Sequence, residues 1–524
     1  MITPAGRSRR HRATMVTGIL AAALALAACS GGSGSSASNA AELATFYRQE
    51  LHWKPCTTQE AADSGLAADA GIPVSLLPTV IAGFQCTQLT VPLNYANPGG
   101  ATIKLALNRL PATDQAHRIG ALVTNPGGPG GSGLELGFSA RAFFTPQLLA
   151  RYDIIGMDPR GVGLSSPVTC KTPASTPADP VAAATVFARA CEQTSGKILP
   201  YVGTDNAARD LDIARAALGD ARLDYYGVSY GTLLGQYYAQ MFPHQVGRMV
   251  LDSVDSPASS TDPPDQARAF ETTLQVLAQT CVDRGHCPMG SSRQQILARF
   301  DQLLARLQSK PMPAIRGSTP LNAGDLLSAL QDTLSNEQDW PAAEAELAAL
   351  FVGKQLAAPA GPAGQATQKA LGSSQGDEQD GSFQAIYCPT VPQDQRTVAA
   401  AEAAGREAQQ VAPHFAAGTE QVWLSCAEWP VRSPAMAGQA IRAPGTPTIL
   451  LVNNTYDPRT PVGDARVVQA DLANSVLVTN EGAGHGFYQM GPCTHKVVDD
   501  YLLTGVKPKP GPTCHDRPAL ATAP

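Results

Sequence analysis

The chain has 524 residues, of which 44% are hydrophobic and 16% charged, and its formal net charge is −6 at pH 7. This apolar content is sufficient for a core larger than that of one simple domain. Because the basic residues form no stripe or run beyond the N-terminus, the composition excludes a nucleic-acid-binding protein.

The N-terminus has the features of a bacterial export signal. Four arginines between residues 7 and 12 precede an apolar run over 15–28, which is too short to span a bilayer as a mature helix. The run ends in Leu26-Ala27-Ala28-Cys29, which resembles the lipobox of bacterial lipoproteins, where the cysteine is lipid-modified. An ordinary signal peptide with a chance cysteine is the alternative. We predict a signal peptide over 1–28, a membrane anchor at Cys29 on the outer face of the cell membrane, and a flexible tether over 29–45.

The cysteine count agrees with export. Without Cys29, the eleven cysteines leave ten, an even number that predicts up to five disulfides in an oxidising compartment. Cys281, His286 and Cys287 also allow a zinc site, but no second ligand pair has metal-site spacing, so no metal is expected. Because short loops close at the least entropic cost, we expect neighbours to pair, although the sequence alone does not fix the connectivity. The expected pairs are Cys56–Cys86, Cys170–Cys191, Cys281–Cys287, Cys388–Cys426 and Cys493–Cys514.

From about residue 120, short apolar runs alternate with amphipathic stretches. This alternation predicts an α/β fold with a mostly parallel sheet and helices on both faces. Strands buried on both faces have the short, continuous apolar runs seen here. The predicted strands are 121–124, 152–157, 223–226, 248–251, 448–452 and 476–478.

The strand pattern disappears between residues 257 and 443. This Ala-, Gln- and Leu-rich segment predicts helices at 267–281, 292–308, 323–334 and 341–351, and a flexible loop at 357–382. Strands resume after it, so we interpret it as a helical cap inserted into the sheet domain and not as a separate domain. The predicted divisions are the core in two parts, 46–256 and 444–515, the cap, 257–443, and a tail, 516–524.

A glycine-rich loop, 125–133, follows the first predicted strand. Such a loop exposes backbone N–H groups, which can stabilise an oxyanion. It lacks the Walker lysine and the spacing of a dinucleotide fingerprint, which argues against phosphate binding. We expect Gly128 rather than Gly127 to donate one hydrogen bond, and the N–H of Tyr230 to donate the second.

The sequence Gly227-Val228-Ser229-Tyr230-Gly231 has the form of a nucleophile elbow. It follows the predicted strand 223–226 and precedes a helix-like stretch, which is the context that this motif requires. The flanking positions need glycine because the turn is tight. Ser229 is therefore the predicted nucleophile.

The serine needs a base and an acid, which follow it in the order Asp or Glu, then His. His485 lies in a glycine-rich loop just after the strand 476–478, so it is the predicted base. Asp457 lies just past the strand 448–452 and would orient the imidazole and stabilise its protonated form. Asp464 is the nearest competitor, but the next helix is expected to begin there.

Five motifs together resemble one known family. They are Gly127–Ser132, Asp158–Ser165, Gly227–Gly231, Asp457–Pro461 and Gly484–Gly486. In combination they are similar to the prolyl/tripeptidyl aminopeptidase family of α/β-hydrolases, with particular likeness to the actinobacterial tripeptidyl aminopeptidases and the mycobacterial cell-envelope serine proteases. The resemblance runs from about residue 50 to 515 and implies an α/β-hydrolase fold.

The resemblance implies an exported aminopeptidase that releases short peptides from substrate N-termini through an acyl-enzyme on Ser229. Its partners would be a peptide or ester substrate and the membrane, and no cofactor is implied. A carboxylesterase or lipase with the same triad is the alternative, and a non-catalytic binding lipoprotein on this scaffold is a third possibility.

The family also implies that acidic groups hold the free amine of the substrate. An acidic residue often follows the cap cysteine in this family, but Pro389 follows Cys388 here. This departure puts the usual amine contact in doubt. The acidic residues considered as substitutes are Glu337, Asp339 and Glu428.

Overall fold

The structure, a computed structural model, describes residues 33–69, 72–173, 175, 177–258, 264–312, 320–354, 379–508 and 513–517. The predicted signal peptide and the predicted lipid attachment at Cys29 lie outside the described residues. So do most of the loop predicted at 357–382 and residues 518–524 of the predicted tail. No helix in the described stretches is long and apolar enough to cross a membrane.

Within these stretches, ten strands form one mixed sheet and two more form a separate short pair. The strands are β1 (Lys54–Pro55), β2 (Gln85–Pro92), β3 (Thr102–Leu110), β4 (Gly120–Asn125), β5 (Tyr152–Met157), β6 (Thr169–Cys170), β7 (Leu223–Val228), β8 (Val246–Asp252), β9 (Gln379–Asp380), β10 (Ile449–Tyr456), β11 (Ser475–Ala483) and β12 (Thr513–Cys514). The order in the sheet is β1-β2-β3-β5-β4-β7-β8-β10-β11-β12. Neighbours from β5 to β12 are parallel, whereas the pairs that include β1, β2 or β3 are antiparallel.

Consecutive side chains of the central strands pack on opposite faces of the sheet. Leu122 of β4 and Ile154 of β5 belong to one hydrophobic cluster, whereas Val123 and Ile155 belong to the cluster on the other face. Because both faces are covered, consecutive positions can be apolar. The predicted fold, a mostly parallel sheet with helices on both faces, is confirmed.

Strands β2 and β3 form an antiparallel hairpin that the apolar-run pattern did not predict. They pair from Gln85 opposite Arg109 to Pro92 opposite Thr102. Polar residues such as Thr87 and Asn108 interrupt their apolar sequence, although both are buried. The hairpin extends the sheet beyond β5, away from the predicted catalytic loops.

The longer helices cover the sheet and fill the segment between β8 and β10. The described α-helices are α1 (Ser33–Phe46), α2 (Thr58–Asp63), α3 (Leu66–Asp69), α4 (Leu77–Val80), α5 (Gly133–Phe138), α6 (Ala140–Phe143), α7 (Pro146–Arg151), α8 (Pro180–Ser195), α9 (Thr204–Ala217), α10 (Tyr230–Met241), α11 (Pro264–Asp283), α12 (Arg293–Ser309), α13 (Ala323–Leu334), α14 (Trp340–Phe351), α15 (Ser382–Tyr387), α16 (Val398–Val411), α17 (Ala416–Ala427), α18 (Val462–Asp471) and α19 (Pro492–Thr504).

Helix α1 contradicts the flexible tether predicted over 29–45. The chain is helical from residue 33, and Leu43 and Phe46 pack against the core. The Asn39 side chain also donates to the carbonyl of Ala96 at 3.1 Å. The Gly/Ser composition predicted flexibility, but the following Ala- and Leu-containing sequence favours a helix, and contact with the core stabilises it.

Helices α11 to α14, the end of α16 and the start of α17 surround a hydrophobic cluster of their own. It includes Phe270, Phe300 and Leu334, and it continues to Ala483 at the end of β11. The helical segment therefore packs over the carboxyl ends of the sheet strands. The two-residue strand β9 within this segment pairs with β6, which was not predicted because two residues carry no periodic pattern.

Five disulfides connect elements of the described chain. They join the predicted neighbours, namely Cys56–Cys86, Cys170–Cys191, Cys281–Cys287, Cys388–Cys426 and Cys493–Cys514. The Cys388–Cys426 bridge links the end of α15 to α17, so it ties together two parts of the helical segment. Cys281 and Cys287, the two cysteines of the zinc site that the sequence argued against, form one of these disulfides.

Candidate active site

Ser229 lies in a sharp turn between β7 and α10. Its φ of 59° and ψ of −130° are unusual for a residue with a side chain and cost about 1–3 kcal/mol. The Ser229 N–H donates to the carbonyl of Asp252 at 2.9 Å, and the Thr232 N–H donates to the Ser229 carbonyl at 2.8 Å. These bonds stabilise the strained turn, which is the geometry of a nucleophile elbow.

The glycines on either side of Ser229 are required by close packing. A Cβ atom on Gly227 would lie 2.5 Å from the carbonyl oxygen of Gly231, and a Cβ on Gly231 would lie 2.7 Å from Asn125 Oδ1. The helix therefore starts so close to the strands that neither position accepts a side chain.

His485 and Asp457 form the predicted acid–base pair. The His485 Nδ1 atom lies 3.0 Å from both carboxylate oxygens of Asp457. The Asp457 side chain is fully buried, whereas that of His485 is 15% exposed. A buried carboxylate at Nδ1 favours the tautomer whose Nε2 can accept the serine proton.

The Asp457 carboxylate accepts further hydrogen bonds from the residues that follow it. The N–H groups of Arg459 and Thr460 donate to its Oδ1 at 2.9 and 3.0 Å, and the Thr460 hydroxyl donates to its Oδ2 at 3.1 Å. The Thr460 hydroxyl also lies 3.3 Å from His485 Nδ1. Thr460 was missed as a positioning residue, although it belongs to the motif quoted for Asp457. Asp464, the competing acid, lies one turn further on in α18.

The end of β8 connects the histidine loop to the nucleophile turn. The buried Asp252 carboxylate accepts the N–H groups of Phe487 at 2.6 Å and Tyr488 at 2.9 Å. Burial raises the pKa of this carboxyl, while these bonds and the Tyr226 hydroxyl oppose the rise. Since the Asp252 carbonyl also accepts the Ser229 N–H, one residue fixes both loops.

Two more side chains hold the ends of the histidine loop. The Asn454 amide donates to the carbonyls of Gly484 and Gly486, both at 3.0 Å, and the Gly486 N–H donates to the Ser253 hydroxyl at 2.8 Å. The His485 N–H itself donates to the carbonyl of Ser335, just after α13, at 2.7 Å. The sequence offered no signal for Asn454 beyond its place at the end of a strand.

The predicted oxyanion donors lie beside the nucleophile. Gly128 and Tyr230 line the same cavity as Ser229. The Gly127 N–H already donates to Asn125 Oδ1 at 3.0 Å, which favours Gly128 over Gly127 as the donor to substrate. Tyr230 is the first residue of α10, so its N–H has no intrahelical acceptor. The geometry therefore supports the predicted pair.

The Gly127→Ala substitution is expected to lower kcat about 100- to 1000-fold, as loss of an oxyanion donor does. A Cβ at Gly127 would lie 2.4 Å from the Val228 carbonyl oxygen and 2.8 Å from the Ser229 Cβ, so the loop must move away. We would measure kcat with a chromogenic ester.

The control is Gly219→Ala, since Gly219 also has a positive φ, of 85°, but its added Cβ would meet nothing within 4 Å. Similar activities for the two variants, both folded, would show that the close approach of the loop is unimportant.

The Asp158–Ser165 motif supports the oxyanion loop and does not enter the cavity. The buried Asp158 carboxylate accepts the Ser132 hydroxyl at 2.7 Å and the Leu134 N–H at 3.1 Å, which fixes the start of α5. Burial raises the pKa of this carboxyl, and these hydrogen bonds oppose the rise. Arg160 forms a buried bidentate ion pair with Asp210, with both contacts at 2.6 Å.

A cavity of about 320 Å³ opens at Ser229 beneath the helical segment. Its volume is at the low end of the range for ligand sites. The helical segment contributes the aromatic side chains Phe270, Phe383, Tyr387, Phe415 and Trp423. The cavity therefore has space for a short, partly apolar acyl group next to the nucleophile.

The three candidate amine contacts, Glu337, Asp339 and Glu428, do not line this cavity. Glu337 is buried, forms an ion pair with Arg517 at 2.7 Å and accepts the Ala483 N–H at 3.2 Å. Glu428 is exposed, and Asp339 precedes α14, where burial raises the pKa of its carboxyl. The structure does not bring these residues to the nucleophile, and Glu337 is held elsewhere by its long-range contacts with Arg517 and Ala483.

The chain is similar to known enzymes over most of its length. Residues 412–514 match the family described as TAP-like protein. The chain is 32% identical to the tripeptidyl aminopeptidase of Streptomyces coelicolor over 487 aligned residues. This alignment covers 87% of this chain and 84% of that protein. It is 31% identical over 546 residues to the serine protease Hip1 of Mycobacterium tuberculosis, and this alignment covers 97% of this chain and 99% of Hip1. It is also 32% identical over 463 residues to carboxylesterase B of M. tuberculosis, and this alignment covers 82% of this chain and 86% of the esterase.

Proposed function

Because this chain belongs to the tripeptidyl aminopeptidase family of α/β-hydrolases and is a serine hydrolase, we propose that it is an aminopeptidase that releases short peptides from substrate N-termini. The observation that carries the proposal is the small cavity at Ser229, to which the helical segment contributes aromatic side chains. A cavity of this size accommodates a short acyl group.

The reaction follows from the positions of the groups. His485 takes the Ser229 proton as the hydroxyl attacks the peptide carbonyl, and the buried Asp457 stabilises the resulting imidazolium. The N–H groups of Gly128 and Tyr230 stabilise the negative charge that develops on the carbonyl oxygen. His485 then protonates the leaving amine, and water hydrolyses the acyl-enzyme.

Hydrolysis of matched substrates tests this function. A tripeptide amide with a free N-terminus, its N-acetylated form and a short acyl ester would be compared at equal concentration. We expect acetylation to abolish most of the cleavage. Equal cleavage of the free and acetylated peptides would contradict an aminopeptidase.

A carboxylesterase is the second candidate, because one relative of similar identity carries that name. The apolar walls of the cavity are also suitable for an acyl chain. Cleavage of the ester without cleavage of either peptide would favour this function.

We further propose that the protein is exported and anchored to the outer face of the membrane through a lipid on Cys29. The lipobox-like sequence and the five disulfides support this proposal, since disulfides persist in oxidising compartments. Cys29→Ala should move the protein from the membrane fraction to the medium. Unchanged membrane association would contradict the anchor.

A further inference from the structure

Arg459 joins the loop of the catalytic acid to the helical segment. Its backbone N–H donates to Asp457 Oδ1 at 2.9 Å, whereas its guanidinium contacts the end of α13. There the Nε atom donates to the Ser335 hydroxyl at 2.7 Å, and Nη2 donates to Asp332 Oδ1 at 2.6 Å. The Gln266 amide, in the first turn of α11, donates to the Arg459 carbonyl at 2.7 Å. The residue that binds Asp457 through its N–H is therefore held by two helices of the helical segment.

The turn after α13 also contacts the loop of the catalytic base. The Ser335 carbonyl accepts the His485 N–H at 2.7 Å, and a Cβ on Gly484, whose φ is 104°, would lie 2.9 Å from that carbonyl oxygen. The Ser335 hydroxyl donates its own proton to the Gln331 carbonyl at 2.7 Å, which leaves its oxygen as the acceptor for Arg459. Ser335 thus contacts the histidine loop through its carbonyl and Arg459 through its hydroxyl.

These contacts form a closed ring that includes the acid–base pair. Asp457 accepts the Arg459 N–H, and the Arg459 guanidinium donates to Ser335. The Ser335 carbonyl accepts the His485 N–H, and His485 Nδ1 lies 3.0 Å from the Asp457 carboxylate. Ser335 belongs to the helical segment, and the other members belong to the catalytic loops. Catalytic groups must be held within about 0.5 Å of their productive geometry, and this ring fixes the two loops relative to each other.

We propose that Arg459 is a positioning residue through which the helical segment sets the geometry of the His485–Asp457 pair. Without the guanidinium, the end of α13 no longer holds the aspartate loop, and the imidazole loses its alignment with Ser229. A displacement of about 1 Å at a reacting group can lower the rate about 100-fold. The inference goes beyond the proposed function, since it concerns any ester or peptide that the serine attacks.

Arg459 also lines the cavity, so a direct contact with substrate is the alternative role. Its guanidinium is paired with Asp332, and its Cζ atom lies 5.9 Å from the centroid of the Phe270 ring. A charge that is already paired attracts a substrate anion less strongly than an unpaired one. The two roles predict different kinetics, because misalignment of the acid–base pair lowers kcat, whereas loss of a binding contact raises KM.

The test compares kcat and KM of the wild type and Arg459→Met on p-nitrophenyl acetate, whose acyl group is only an acetyl. Methionine keeps an unbranched apolar side chain and removes both guanidinium contacts with α13. We expect kcat to fall about 10- to 100-fold and KM to change less than about twofold. Arg459→Lys, which can still donate a hydrogen bond to the end of α13, should recover part of the lost kcat.

Arg268→Met is the matched control. Arg268 forms an ion pair at 2.6 Å, as Arg459 does, and its side chain is 44% exposed, against 37% for Arg459. Its partner Asp265 lies on the same helix, α11, so this pair does not join the helical segment to a catalytic loop. Arg268→Met should therefore keep the wild-type kcat.

A double-mutant cycle tests the path through Ser335. Ser335→Ala removes the acceptor of Arg459 Nε and keeps the carbonyl that binds His485. We expect it to lower kcat about 3- to 10-fold in the wild type and to have little further effect in Arg459→Met, because both substitutions break the same contact. Fully additive losses would show that Arg459 does not act through Ser335.

The remaining outcomes are equally decisive. If Arg459→Met raises KM and keeps kcat, Arg459 binds substrate and the positioning role is wrong. The role also fails if Arg268→Met loses as much kcat as Arg459→Met. Thermal melts identify folded variants, and if Arg459→Met does not fold, an unchanged kcat in folded Ser335→Ala overturns the proposal. None of these results depends on a preference for free N-termini, so the aminopeptidase proposal stands or falls separately.

Discussion

Ser229→Ala is expected to abolish turnover, with a fall in kcat on the order of a million-fold. The substitution removes the nucleophile and leaves the turn intact, because the hydrogen bonds that hold Ser229 involve only its backbone N–H and carbonyl. Ser229 is the residue that the turn between β7 and α10 places at the wall of the cavity. Ester hydrolysis under saturating substrate measures the loss.

Labelling with a fluorophosphonate provides an independent readout, since the probe should modify the wild type and not Ser229→Ala. Ser309→Ala, at the exposed end of α12, is the matched control and should behave as the wild type. Retained turnover in a folded Ser229→Ala variant would refute the assignment of the nucleophile.

The catalytic residues could be predicted from sequence because each lies in a local motif with a steric or chemical requirement. Gly227 and Gly231 are fixed by contacts shorter than any side chain permits, so the pattern around Ser229 is visible without the fold. Asp457 and His485 follow strands whose apolar runs identify them. The order serine, acid, histidine along the chain then assigns Ser229 as the nucleophile, Asp457 as the acid and His485 as the base.

Residues that act through long-range contacts could not be predicted in this way. Asp252 binds the backbone of Phe487 and Tyr488, more than two hundred residues later, and nothing local marks that connection. Glu337 was a reasonable candidate by composition, but its pairing with Arg517 depends on how the end of the chain packs.

Asp457→Asn is expected to lower kcat about 10⁴-fold, less than the loss of the nucleophile. The amide that replaces the carboxylate cannot stabilise the imidazolium, and it favours the wrong tautomer of His485, which lies 3.0 Å away. The fold should survive, because the asparagine oxygen can still accept the N–H groups of Arg459 and Thr460. Steady-state kinetics and a thermal melt together measure the effect.

Asp464→Asn is the matched control for Asp457, because it was the competing acid in the sequence and lines the same cavity. It should retain most of the ester hydrolysis, since His485 Nδ1 contacts Asp457. If Asp464→Asn lost as much activity as Asp457→Asn, the tautomer of His485 would not depend on a single carboxylate. Both acids would then have to act on the imidazole, although both 3.0 Å carboxylate contacts of His485 Nδ1 are to Asp457.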